Sequence, residues 1–276
     1  MKNHMLFVER MNDKLIYVRK TVFMQRIADA IRLGYTRYVA GELRPDQVER
    51  VAWKISDLYE TEVSSATKSR RLAAGKAKSE LYFYVPPKRP DVPLYVDWFL
   101  LTSPGSLPPG GEREKWSDAT HRYMRLKYDA YELVRLTKPQ EPKPVWTWRI
   151  EPRRVNYTRE MLIHLIRQKQ DDTLRQAIYS MHRMPGFAGV RQQVMGMRRL
   201  IVTEWGRSRR GPPPDMPAGF GYTRRLADAG IRLDDWPKAV RHIERTGNMP
   251  RVRENSAVIR AGAEGFVLPF EAEMKL

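Results

Sequence analysis

Val145-Trp146-Thr147-Trp148-Arg149-Ile150 and, a few residues on, Met161-Leu162-Ile163-His164-Leu165-Ile166 carry the change of period that sets the fold class. The first run alternates, with Trp146 and Trp148 on one face, as a strand does. From Tyr157 the apolar residues recur every three or four positions: Met161, Leu162, Leu165, Ile166, then Leu174, Ile178 and Met181. That is the helical period, and Asp171-Asp172 marks a division of 158–184 into two helices.

Upstream of this junction, strand-like runs fall at 81–85, 94–102, 123–128 and 131–137. Pro- and Gly-rich loops at 103–111 and 139–144 lie among them. Nearer the N-terminus, Leu6-Phe7-Val8 and Leu15-Ile16-Tyr17-Val18 flank Asn12-Asp13, which predicts a hairpin over 5–20. Thr21 is placed to cap a helix with Val22, Phe23, Ile27, Ala30 and Ile31 on its apolar face, and Gly34 stands where a C′ glycine belongs. A short strand is predicted at 35–39. Pro45 then opens a helix carrying Val48, Val51, Ala52, Ile55, Leu58 and Tyr59. Downstream, Pro185-Gly186 breaks the helical pattern, and a further helix is predicted over 187–207. A linker with four prolines over 209–219, a last helix over 234–245 capped by Asp234, and a strand within 258–270 complete the chain.

Strands in the first half and helices in the second predict an α+β fold, its antiparallel sheet mainly in the N-terminal half and its helices mainly in the C-terminal half. The domain expectation is a mixed α+β region at 1–152 and a mainly helical basic region at 153–276. One intertwined domain fits the pattern almost as well.

Composition narrows the function classes. Of 276 residues 42% are hydrophobic, enough for a core and too many for wholesale disorder. No apolar run approaches the roughly 20 residues that cross a bilayer, and no secretory signal is visible, so the expected location is cytoplasmic with no membrane partner. The absence of cysteine excludes disulfides, thiolate catalysis and Cys-ligated zinc. The charge is the informative feature: 50 Lys and Arg against 32 Asp and Glu, a net +18. Such self-repulsion is relieved by a polyanion, which supplies phosphates and releases counterions. Arg exceeds Lys by 35 to 15. A guanidinium suits bidentate phosphate contact and stacking on bases.

Two stretches concentrate the cations. Residues 64–79 read as an exposed basic arm carrying Lys68, Arg70, Arg71, Lys76 and Lys78 with no acidic residue. The 187–207 helix and its tail carry Arg191, Arg198, Arg199, Arg207, Arg209 and Arg210, more cations than a helix dipole explains. Tyr35, Arg37 and Tyr38 form a compact aromatic–guanidinium set. Tyr82 and Tyr84 share one strand face, with Leu81, Phe83 and Val85 on the other; such aromatics serve either a core or a base-stacking platform.

Sites for chemistry are sparse. No phosphate-binding glycine loop occurs, and none of the five histidines has metal-ligand spacing, so no metal or cofactor is expected. His242 and Arg245 reproduce an H-x-x-R spacing, but no tyrosine follows as a nucleophile. RNA carries its own 2′-OH nucleophile and needs only a base, an acid and a cation for cleavage. His121, beside Arg122 and Arg125, and His182, beside Arg183, are the first candidate catalytic residues for such chemistry, since positive neighbours help a histidine act as a base near neutrality.

The leading expectation is a nucleic-acid-binding protein, with RNA or single strands favoured over duplex DNA and a place in a nucleoprotein assembly with protein partners. A metal-independent endoribonuclease and a module docking an acidic protein are the alternatives.

Overall fold

The computed structural model describes residues 2–138, 141–217 and 226–252. In chain order the elements are α1 (Lys2–Asn12), β1 (Leu15–Tyr17), α2 (Lys20–Arg32), β2 (Arg37–Leu43), α3 (Val48–Tyr59), α4 (Ser65–Ala73), β3 (Ser79–Tyr84), β4 (Val96–Thr102) and β5 (Ser117–Asp118). There follow β6 (Lys127–Tyr128), β7 (Tyr131–Lys138), β8 (Glu141–Ile150), α5 (Pro152–Arg167), α6 (Asp171–His182) and α7 (Ala188–Ser208). The last are β9 (Gly230–Arg232) and α8 (Trp236–Thr246). The fold is α+β, with most of its strands in the first half and helices α5–α8 in the second. Among the described residues no helix is long and apolar enough to cross a membrane.

The chain divides into two compact units, one from Met1–Arg125 and Leu226–Ile259, the other from Leu126–Arg225 and Arg260–Leu276. The first holds a six-stranded sheet in the order β5-β2-β4-β3-β1-β9. It is mixed where an antiparallel sheet was expected, because β1 pairs in parallel with β3 (Ile16 opposite Phe83). A parallel pair needs a long crossover, and 61 residues including α2, β2, α3 and α4 lie between these strands. One sheet face buries Ile16, Leu81, Phe83, Val96 and Leu100 against Val48 and Ala52 of α3, Met11 of α1 and Trp236 of α8. On the other, Phe23 of α2 stacks on Tyr84 at 5.3 Å and meets Phe99 edge-on at 5.6 Å. Each such fully buried side chain stabilises by about 1.5–3 kcal/mol. Gly34 follows the α2 C-cap at φ +90°, as its placement predicted.

Four local expectations are corrected. Leu6-Phe7-Val8 is helical, inside α1, because Phe7 packs edge-on to Trp53 and Met11, one turn later, is fully buried. A spacing of four decides there over the β-rich composition. Residues 64–79 are not an extended arm: the Ser64 hydroxyl accepts from the Thr67 N–H at 3.2 Å and caps α4. Finally, 123–128 is mostly irregular, with only β6 as strand, and Asp235 rather than Asp234 precedes α8. The strand expected in 258–270 lies outside the described residues.

The second unit is a three-stranded antiparallel sheet, β6-β7-β8, with α7 against β8 and α5 against α7. Trp148 is fully buried, so this aromatic is core. Gln193 of α7 bonds the backbone of Ile150 at both ends, accepting from its N–H at 2.7 Å and donating to its carbonyl at 2.8 Å. One residue at the end of the β8 edge thus has both backbone groups satisfied by the helix. Where α7 crosses β8 only glycine fits: a Cβ on Gly189 would stand 2.6 Å from the Trp148 carbonyl oxygen.

Candidate nucleic-acid interface

Capping places α4, and with it the basic residues of 64–79, on a fixed scaffold. Lys68 and Arg71, one turn apart, meet carboxylates: Lys68 reaches Glu80 at 2.6 Å and Arg71 pairs with Glu60. Lys78 gives its ammonium to the Leu33 carbonyl at 3.1 Å and lies 4.4 Å from the centre of the Tyr35 ring. Arg70 and Lys76 are exposed. The Tyr35 set is also built into the protein. Tyr35 is buried and donates to Glu80 at 3.3 Å; burial first, then Glu80, pushes its hydroxyl above the ordinary phenol range. Arg37 donates to the Gly105 carbonyl at 3.3 Å, and Tyr38 stacks on Phe99. Of these eight cations and tyrosines, Arg70 and Lys76 stand open to a ligand.

The second unit differs. Between Leu126 and Pro217, Lys and Arg outnumber Asp and Glu two to one. Most of the carboxylates are already engaged: Glu132 with Arg149, Glu151 with Lys127, Asp171 with Arg209, Asp172 with Arg175, and Glu204 with Arg167. Glu204 is buried, and hydrogen bonds from Arg167 and then Ser208 hold it below the usual carboxylate range. The remaining cations outnumber the remaining carboxylates by about three to one, and Arg207 reaches Glu204 only through its charge. Among the described residues none pairs with Arg153, Arg159, Arg198, Arg199, Arg207 or Arg210.

Arg209 stands apart from its neighbours. It grips both oxygens of Asp171 at 2.9 and 2.8 Å, donates to the Ile166 carbonyl at 3.1 Å and lies 4.3 Å from the Trp205 ring centre. This is an internal fastening of α7 to the α5–α6 turn. Arg191 likewise donates to the Gly186 carbonyl at 2.8 Å beside the start of α7.

Two residues that the sequence reading passed over join the open arginines. Tyr157 on α5 is 38% exposed and Tyr179 on α6 is 54% exposed. A guanidinium lies over each ring, Arg154 at 5.9 Å and Arg183 at 5.3 Å. The signal was present as Arg154-x-x-Tyr157 and Tyr179-x-x-x-Arg183, spacings that bring side chains together on a helix. Tyr157 lies roughly 15 Å and Tyr179 roughly 12 Å of helix from the short turn joining α5 to α6.

The two histidines belong to different units. His121 is exposed, and its Nδ1 accepts the N–H groups of Tyr123 and Met124 at 3.3 and 3.0 Å. His182 ends α6, with both ring nitrogens shielded from solvent. A scan of known families finds no model that matches this chain, and no curated protein or solved structure matches it either.

Proposed function

We propose that the chain binds single-stranded nucleic acid, RNA included, through the helical surface of its second unit. The observation carrying this reading is the set of arginines on α5, α7 and the tail of α7 that form no ion pair with a described carboxylate, in a unit whose cations outnumber its acids two to one. Unpaired guanidinium groups repel one another until phosphates arrive, and the counterions those phosphates release drive association. Tyr157 and Tyr179 favour single strands over duplex, because an exposed ring can stack an unpaired base but finds no free base face in a helix. Phosphate contact by Arg and stacking by Tyr together make a sequence-tolerant surface.

Fluorescence anisotropy with labelled single-stranded and duplex oligonucleotides of one length tests this. Binding should weaken linearly in log–log form as salt rises, and single strands should bind more tightly. Tyr157→Ala and Tyr179→Ala should each lower single-strand affinity about 5- to 100-fold and leave duplex affinity nearly unchanged. Affinity that ignores salt, or equal losses on both substrates, overturns the reading.

A further inference from the structure

The first unit holds a cavity of about 320 Å³ among the end of α1, β1, β3 and the segment joining α3 to α4. Tyr17 and Tyr82 form its aromatic wall, their ring centres 6.5 Å apart and their planes at 33°. Leu15 and Leu81 add aliphatic surface. The polar groups are specific. Glu62 uses Oε1 for the Lys14 ammonium and for the Thr61 hydroxyl at 2.9 Å. Glu80 uses Oε1 for Lys68 at 2.6 Å and the Tyr35 hydroxyl at 3.3 Å. The second oxygen of each carboxylate accepts no hydrogen bond from a described residue. The Tyr82 hydroxyl is also without a hydrogen bond among the described residues, though it lines the cavity. Asp13, a third lining carboxylate, is held by Arg232 at 2.8 Å. Exposed Arg10 gives one N–H to the Glu62 carbonyl at 2.8 Å and keeps its others.

These groups define what fits. The two open carboxylate oxygens call for N–H donors. A bare cation is disfavoured, because Lys14 and Lys68 already balance Glu62 and Glu80, leaving little charge to offset its desolvation. With each lining carboxylate paired to a cation, the free N–H groups of Arg10 are where an anion is accepted. The tyrosine rings favour a flat π-system.

The geometry points to a nucleotide, its amino-bearing base against Glu62, Glu80 and the tyrosines and its phosphate at Arg10. Guanine fits best, because its N1–H and N2–H groups supply more than one donor and can serve both open oxygens, one on Glu62 and one on Glu80. Uracil offers a single imide N–H. This inference does not depend on the helical surface of the second unit, and either can fail alone.

Calorimetric titration of the full chain with GMP, AMP, CMP and UMP is the test. GMP should bind saturably, and UMP at least about tenfold more weakly. Tyr82→Phe removes a hydroxyl that no described residue uses, so it should weaken GMP severalfold with the unfolding temperature unchanged. Arg10→Ala should bring GMP down to the affinity of guanosine. The inference is overturned if none of the four binds at about 5 mM, if UMP equals GMP, or if Tyr82→Phe has no effect on GMP. An oligothymidine with one central guanosine separates the sources. Competition with GMP at higher affinity than GMP itself means that the base arrives within a strand, and weaker competition means a free nucleotide. Retained oligonucleotide binding with no GMP binding removes the cavity from the account and leaves the helical surface standing.

Discussion

Three arginines and their neighbour in one short run, Arg199, Arg207 and Arg210 against Arg209, allow the proposed surface to be tested against stability. The first three form no ion pair with a described carboxylate, Arg207 acting on Glu204 only through its charge, whereas Arg209 is committed to Asp171, Trp205 and the Ile166 carbonyl. On the proposed reading, replacing Arg199, Arg207 and Arg210 together by Gln removes three phosphate contacts. At about 0.7 counterions per contact on a single strand, the salt slope should become shallower by about 2. Since the same term scales affinity with log salt, binding at about 0.1 M salt should fall by about 100-fold. Arg209→Gln should behave oppositely. Asp171 is half-exposed, and its carboxyl is held low chiefly by the hydrogen bonds from Arg209, so this variant loses a fastening and not a phosphate. Its unfolding temperature should drop by a few degrees while the slope stays within error. Anisotropy across a salt series and thermal unfolding supply both readings. An unchanged slope in the triple variant, or a fall in slope for Arg209→Gln as large as that of its neighbours, refutes the division of the run into phosphate-facing and structural arginines.

Two further predictions concern the scaffold. Gly189→Ala puts a methyl 2.6 Å from the Trp148 carbonyl oxygen and 2.8 Å from the Arg149 Cβ, so α7 must lift off β8 at a cost of about 2–3 kcal/mol. Gly196→Ala on the same helix meets nothing within 4 Å and should instead stabilise by about 0.5–1 kcal/mol; denaturant unfolding reads both signs. Glu62→Gln tests the ion pair beneath the cavity. Burial alone would raise the Glu62 carboxyl, but Lys14, with the Lys14 and Thr61 hydrogen bonds, outweighs it and holds the group below its usual value. Its stabilisation is therefore present above the unfolded value near ~4.3 and is lost as pH falls through the lower folded value. The variant should be less stable by about 3 kcal/mol at neutral pH, and the gap should close in acid; a gap independent of pH disproves the assignment.

The elements legible in the sequence were those whose apolar spacing alone settles them: α2, α3, α5, α6 and α7 all lie where a stripe of three-to-four spacing runs. The alternation at 81–85 also resolved correctly, with Leu81, Phe83 and Val85 in the core and Tyr84 packed beneath α2. What stayed hidden depends on distant partners. Strand β9 has a single apolar residue, Ile231, and exists only because β1 offers it an edge. The α1 helix was masked by β-branched and aromatic composition until Trp53 and the core claimed Phe7 and Met11. At the candidate sites, local charge density was visible but its use was not. Lys68 and Arg71 lie in a stretch without acids, and their partners Glu80 and Glu60 come from outside it. Glu62 and Tyr82 meet in one cavity from segments that nothing local connects.

The pairing of β1 with β9 has a consequence for synthesis on the ribosome. Leu15 faces Arg232 in the finished sheet, so that edge stays bare while more than two hundred further residues are translated. At 5–20 residues per second the wait is roughly 10–40 s. During it the nascent N-terminal unit presents an unsatisfied strand to any neighbouring chain, whereas every described strand and helix of the intervening unit has already emerged and has all its partners in hand. Chaperone demand should thus fall on the first unit, and a chain ending before Gly230 should yield aggregates rather than a soluble fragment.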